Sequence, residues 1–267
     1  MSRLARTDVL ARAGYAARGF VYVLLGWFAW QTRSSAKEGQ EGVFARVQEM
    51  TAGSAMLAVL VVGLIAYGIY KLSAGLFDIE RHGHDAKGIA ARFGMVAGSV
   101  AYLFLAWGAA RFASHSKESA ETGGGAEMAR TLLDVPLGNG ILALVGAGFI
   151  TAAIFQVRSA WTRSFMKRIE PGAPRLTCTM GRIGFSARAV VFLLVGISLV
   201  SAALRDNGGE ARDLGGVLAD IQGQPLLYSA VTLGLLVFGL FSLIEARYRI
   251  VESVDVAKAA AGKVGRA

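Results

Sequence analysis

The sequence is poor in the residues that most often carry chemistry. One cysteine, Cys178, among 267 residues excludes an internal disulfide framework and a cysteine-built zinc cage. Three histidines leave little material for a metal site, and only 18% of residues are charged, where a water-soluble domain carries about 25%. Four prolines stand against 34 glycines, a ratio at home in membrane helices, where glycine lets backbones approach closely. A phosphate-binding glycine loop, a Ser-His-Asp set and an HExxH motif are all missing. No carboxylate lies within an apolar core to serve a proton relay, which argues against proton-coupled transport. The expectation is a protein that is not an enzyme and has no cofactor and no metal.

What is abundant is apolar sequence, at 54% of residues with a mean hydropathy of +0.48. A helix needs about 20 residues to cross a hydrocarbon core of roughly 30 Å. Four uncharged stretches have that length, at 50–70, 93–110, 135–157 and 221–244. Two more, 13–32 and 183–204, reach it by including Arg18 and Arg188. A soluble helical bundle would show a polar face, and 56–70 and 226–244 have almost none. The reading is therefore an all-α integral membrane protein with six transmembrane helices.

The formal net charge of +9 would suggest nucleic acid as a partner for a soluble chain, but here its placement matters more. Segments 1–12, 78–92, 158–182 and 245–267 carry 17 Lys/Arg against 8 Asp/Glu, and the opposite loops carry 8 against 11. The positive-inside rule then puts both termini in the cytoplasm and makes the surplus topological. The expected partners are membrane lipids with anionic headgroups, reached by basic segments such as "RSAWTRSFMKRIEPGAPR". No nucleic acid is expected.

Self-comparison reveals a repeat. "RAGYAARGFVYVLLGW" (12–27), "RFGMVAGSVAYLFLAW" (92–107) and "RIGFSARAVVFLLVGI" (182–197) align without a gap. Arg12, Arg92 and Arg182 coincide, as do Gly14, Gly94 and Gly184, and Arg18 matches Gly98 and Arg188. The even-numbered spans align as "GLIAYGIYKLSAG" (63–75), "GFITAAIFQVRSA" (148–160) and "GLLVFGLFSLIEA" (234–246), with Gly63, Gly148 and Gly234 in register. Three parallel helical hairpins follow. Repeat 1 covers 1–84 with spans at 13–32 and 50–72, and repeat 2 covers 85–174 with spans at 93–111 and 137–158. Repeat 3 covers 175–250 with spans at 183–204 and 223–245, and 251–267 is a cytoplasmic tail. A ring around a pseudo-threefold axis is the simplest packing, and a linear array satisfies the same sequence. The repeat also argues against a cleavable signal peptide in 1–35, because the same helix recurs inside the chain.

The "ARxGyaaRGxVYxLLG" helix, the threefold repetition and the paired spans resemble the bacterial membrane-protein family called domain of unknown function 1206, from about residue 8 to 250. That resemblance implies a bacterial inner-membrane protein of three two-helix repeats and supplies no activity or site residues.

Five arginines are the candidate site for an anion or lipid phosphate. Arg12, Arg92 and Arg182 begin the odd-numbered spans, where they either anchor on phosphates or converge near the axis beside favourable helix N-termini. Arg18 and Arg188 lie six residues deeper, roughly 9 Å by helix rise, and either snorkel outward or face inward. Facing inward they are short of counter-charge, since the nearest carboxylate, Glu245, stands at the end of the sixth span. Lys71 reads as a snorkelling residue. Gly14, Gly94, Gly98, Gly184, Gly63, Gly148 and Gly234 read as helix-packing positions. "RHGHD" (81–85) is a weak metal signal, and Cys178 reads as an incidental thiol.

These readings favour a non-enzymatic membrane scaffold or accessory factor. The second reading is a small-anion or lipid-headgroup transporter or binding protein with an axial cavity lined by arginines.

Overall fold

Long apolar runs free of interior proline produce six long helices in the computed structural model. It describes residues 4–31, 47–49, 53–78, 83, 85–113, 133, 137–205, 211–212 and 214–250. The long helices are α1 (Leu4–Gln31), α2 (Gly53–Phe77), α3 (Ala86–Ala113), α4 (Gly138–Thr162) and α5 (Thr177–Arg205), then α7 (Pro225–Tyr248) after the short α6 (Leu214–Asp220). Among the described residues, Pro171 and Pro174 lie in the connection before α5 and Pro225 in the first turn of α7, where its missing N–H is not needed. Asp85 caps α3 by accepting from the Gly88 N–H at 3.0 Å. Asp78 and Arg163, at corresponding ends of α2 and α4, both take left-handed backbone, with φ of 51° and 54°. Every helix overruns its apolar window because the basic flanks stay helical.

Helices α2, α4, α5, α7 and residues Gly88–Ala110 of α3 are long and apolar enough to cross a membrane. Helix α1 matches them in length, with 28 residues, but is not among the five, and it carries Arg18 and a run of Gly, Tyr and Trp among its apolar residues. No strand element is found among the described residues; one antiparallel bridge joins Ile169 to Arg249. It is held by Glu170 N–H to Tyr248 O at 2.8 Å and Ile250 N–H to Arg168 O at 2.9 Å.

The most extensive contacts join α2 to α3, α4 to α5 and α7 to α1, each time the second helix of one repeat to the first of another. The α1–α2 and α5–α7 hairpins pack less extensively, and α3 and α4 touch at most marginally. The order of neighbours is α3, α2, α1, α7, α5, α4. Of the two packings the sequence allows, the contacts follow a row that is open between the two helices of repeat 2.

Glycines show how. A Cβ on Gly63 would stand 2.5 Å from Ala17 Cβ, and one on Gly234 stands 2.4 Å from Ala187 Cβ, so the α1–α2 and α5–α7 hairpins close on the same pair of positions. Gly14 against Tyr67 and Gly184 against Phe238 repeat the match. Gly94, Gly98 and Gly148, expected at the same contacts, have nothing within 4 Å. Repeat 2 has Ala152 where the others place Tyr67 and Phe238, and Gly98 where they place arginine, so nothing bulky holds its hairpin shut. The close glycine contacts of α4 lie on its other neighbour, Gly146 against Gly196.

Candidate functional site

The first helix of each repeat carries Arg12, Arg92 or Arg182 one to two turns inside its N-terminus, not at the helix start expected from the sequence, and in two repeats another arginine about two turns deeper. Arg12 Nη1 donates to the carbonyls of Ala246, at 3.3 Å, and Arg247, and its Nη2 stands 3.9 Å from Glu170 Oε1. Arg92 makes the corresponding contacts one repeat along, Nε to Gly75 O at 2.8 Å and Nη2 to Leu76 O at 2.9 Å. Both guanidiniums therefore cap the C-terminus of a neighbouring helix, where orphan carbonyls and the negative end of the dipole favour a cation. Arg182 departs from this pattern. It is exposed and borders an open groove of about 490 Å³ between α5 and α7, with Ser186 and Ala230 also in the lining. Arg182, Ile183, Ser186 and Val190 form one stripe of α5, half a turn away from Arg188 at 100° per residue. The groove is thus separate from the deep arginines.

Arg18 faces the interior with a side chain 8% exposed. It donates from Nη2 to Glu245 Oε2, from Nη1 to Tyr67 Oη at 2.9 Å and from Nε to Ser242 Oγ at 3.1 Å. Ser242 in turn donates to Phe238 O at 2.8 Å. Glu245, 3% exposed, also accepts from Arg249 Nη1 at 2.6 Å, forming a buried Arg–Glu–Arg chain with one surplus positive charge. Aromatic faces absorb part of that surplus. Arg18 Cζ lies 4.7 Å from the Tyr15 ring centroid and 5.0 Å from that of Phe238, and Arg249 Cζ lies 4.6 Å from Tyr15. Tyr67 stacks edge-on to Tyr15 at 5.1 Å and to Tyr102 at 4.6 Å, linking α1, α2 and α3 through rings.

The counter-charge was visible as a residue but not as a partner. Glu245 belongs to the last turn of α7, and antiparallel packing of α7 on α1, fixed by Gly239 against Val23 and Gly26 against Leu236, sets that turn beside Arg18. Arg249 escaped sequence reasoning altogether. It lies just past α7, where the bridge to Ile169 folds it back over Tyr15.

Arg188 also turns inward, with Cζ 4.4 Å from the ring centroid of Phe238, 4.8 Å from Phe192 and 5.3 Å from Tyr22. Among the described residues no carboxylate pairs with it, and its Nε is buried without a hydrogen-bond partner. In repeat 2, where Gly98 replaces the arginine, the preceding helix carries Lys71 at the position of Ser242 and Gln156. Lys71 Nζ lies 5.8 Å from the Tyr67 ring centroid. Each interface between repeats thus keeps one deep cation. His82 and His84 lie outside the described residues, while Cys178 sits as a free, half-buried thiol in the first turn of α5.

Three helical repeats built on one template, with apolar helices of membrane-spanning length and charged groups turned inward, define a multi-pass membrane type of protein. The chain belongs to the family described as Domain of Unknown Function (DUF1206), whose sequence model matches residues 13–78, 93–163 and 183–249, one match per repeat. It is 31% identical over 250 residues to "Uncharacterized protein YxxB" of Bacillus subtilis (strain 168), covering 89% of this chain and 90% of that protein. No solved structure matches it.

Proposed function

We propose that this chain is a bacterial inner-membrane scaffold or accessory factor of six spans with both termini in the cytoplasm, and that it has no catalytic activity. Helix α1 serves as the sixth span because its one deep charge is neutralised inside the protein rather than presented to lipid. The single observation that carries the scaffold reading is the internal use of the basic groups. Arg18 is held by Glu245, Tyr67 and Ser242, and Arg12 and Arg92 close the ends of neighbouring helices. A conducting path would instead leave such cations hydrated and available to a passing anion. The positive-inside bias of the loops supports the orientation.

Reconstitution tests this reading. Liposomes carrying the purified protein should pass none of a panel of organic and inorganic anions above the rate of empty vesicles. Saturable flux that falls in an Arg18→Ala/Arg188→Ala double variant would replace the scaffold with a transporter. The uncompensated Arg188 favours a second reading, that of a protein which holds an anion.

A further inference from the structure

The arginine of repeats 1 and 3 is the same residue in different company. Arg18 has three acceptors, Ser242, Tyr67 and Glu245. By the register of the repeats, the three corresponding positions around Arg188 are Gln156, Phe238 and Ser159. The cation is retained, with Phe238 in the place of Tyr67 and with Tyr22 and Phe192 as its other ring neighbours, whereas the phenol and the carboxylate are gone. Ser159 is engaged elsewhere, accepting from Ser164 Oγ at 3.2 Å.

Two sets of polar atoms are left over. Arg188 Nε is buried and unpartnered, and so are both Nε2 and Oε1 of Gln156, a residue only 8% exposed. The contacts of Gly146 with Gly196 and of Phe149 with Phe192 put Gln156 and Arg188 within about one helical turn of the same level of the α4–α5 pair. A buried amide with neither atom satisfied costs free energy unless something occupies the place. Helix α4 is the end helix of the row, and its Gly148, about two turns from Gln156, meets nothing.

We propose that Arg188 and Gln156 form a binding site for a phosphate oxyanion, which stands to Arg188 as the Glu245 carboxylate stands to Arg18. In that arrangement Gln156 Oε1 accepts from Arg188 Nε, as Ser242 accepts from Arg18 Nε. The outer guanidinium N–H groups and Gln156 Nε2 then donate to the oxyanion. Charge-assisted donors of this kind suit a phosphate, and the apolar surroundings strengthen them. A phosphodiester of a lipid headgroup and a free phosphate share this chemistry. Such a site holds its ligand without moving it across the membrane, so it goes beyond the scaffold reading and stands or falls separately from the flux experiment.

The test uses the full-length protein in neutral detergent, with thermal unfolding followed by tryptophan fluorescence. One arm titrates phosphatidylglycerol, a second inorganic phosphate, and diacylglycerol serves as the control lacking phosphate. The expected result is a saturable rise in Tm with at least one phosphate probe and none with diacylglycerol. Half-saturation should move at least about tenfold in Arg188→Gln and in Gln156→Leu, each of which removes donors to the oxyanion. It should stay unchanged in Arg182→Ala. Ser159→Glu should restore an internal carboxylate, abolish the response and raise the Tm of the ligand-free protein, which keeps the test decisive if Arg188→Gln fails to fold. Saturation by the lipid alone identifies a headgroup, and saturation by phosphate identifies a free anion. The proposal is overturned if neither probe saturates, if Arg188→Gln or Ser159→Glu responds like the wild type, or if Arg182→Ala loses the response equally.

Discussion

Replacing Glu245 by glutamine keeps its size and removes the one negative charge shared by two buried guanidiniums. Glu245 is 3% exposed and accepts from both Arg18 and Arg249, each 8% exposed. The variant therefore takes the shared carboxylate from both guanidiniums in a low-dielectric interior, where breaking a buried pair costs about 3–5 kcal/mol. Arg18→Met is the instructive comparison. It leaves Glu245 paired with Arg249, a neutral pair, and Ser242 still bonded to Phe238 O, so the expected loss is only about 1–2 kcal/mol. In the double variant the Arg18 cation has gone as well, and the cycle should show a coupling of about 1–3 kcal/mol. Reversible unfolding in mixed micelles, followed by far-UV circular dichroism, measures all four proteins. The reasoning fails if Glu245→Gln costs less than about 1 kcal/mol, or if Arg18→Met costs as much as Glu245→Gln.

Other outcomes follow from the glycine contacts, the caps and the charge bias. Gly234→Ala drives a methyl into Ala187 and should cost about 1–3 kcal/mol, while Gly148→Ala, at the corresponding open position, should stay within about 0.5 kcal/mol, as the same unfolding assay will show. Arg92→Ala uncaps α2 and should lower stability by about 1–2 kcal/mol; Arg182→Ala, exposed and uninvolved in a cap, should change it by less than about 0.5 kcal/mol. For orientation, an impermeant maleimide added to intact cells should leave Cys178 unlabelled and should label Glu121→Cys in a Cys178→Ser background; the reverse pattern would invert the topology.

The repeated architecture was legible in the sequence because helix packing repeats residues. Gly63 and Gly234 recur at one register and meet Ala17 and Ala187, which are themselves equivalent. The open hairpin of repeat 2 was legible only in part. Gly98 and Ala152 could be read as small residues fit for close packing, yet the same smallness removes the bulk that fills the other hairpins. The deep arginines were found by their position in apolar runs, and their partners were not. Pairing of Arg18 with Glu245 depends on two helices separated by more than 200 residues, a contact that local periodicity does not encode. The caps escaped for a similar reason. An arginine at a helix start reads as an anchor of its own helix, whereas Arg12 and Arg92 reach across to the ends of α7 and α2. Arg249 showed no signal beyond being one more basic residue in a basic segment.

Arg18 and Arg188 both point into the protein, the first neutralised by Glu245 and the second with its Nε unpartnered. A high-resolution cryo-electron microscopy map of the full-length protein in a phosphatidylglycerol nanodisc tests this most directly. The expected map has continuous density joining Arg18, Glu245 and Arg249, and Arg188 enclosed by Tyr22, Phe192 and Phe238. Either arginine extended outward to the headgroup layer would contradict it.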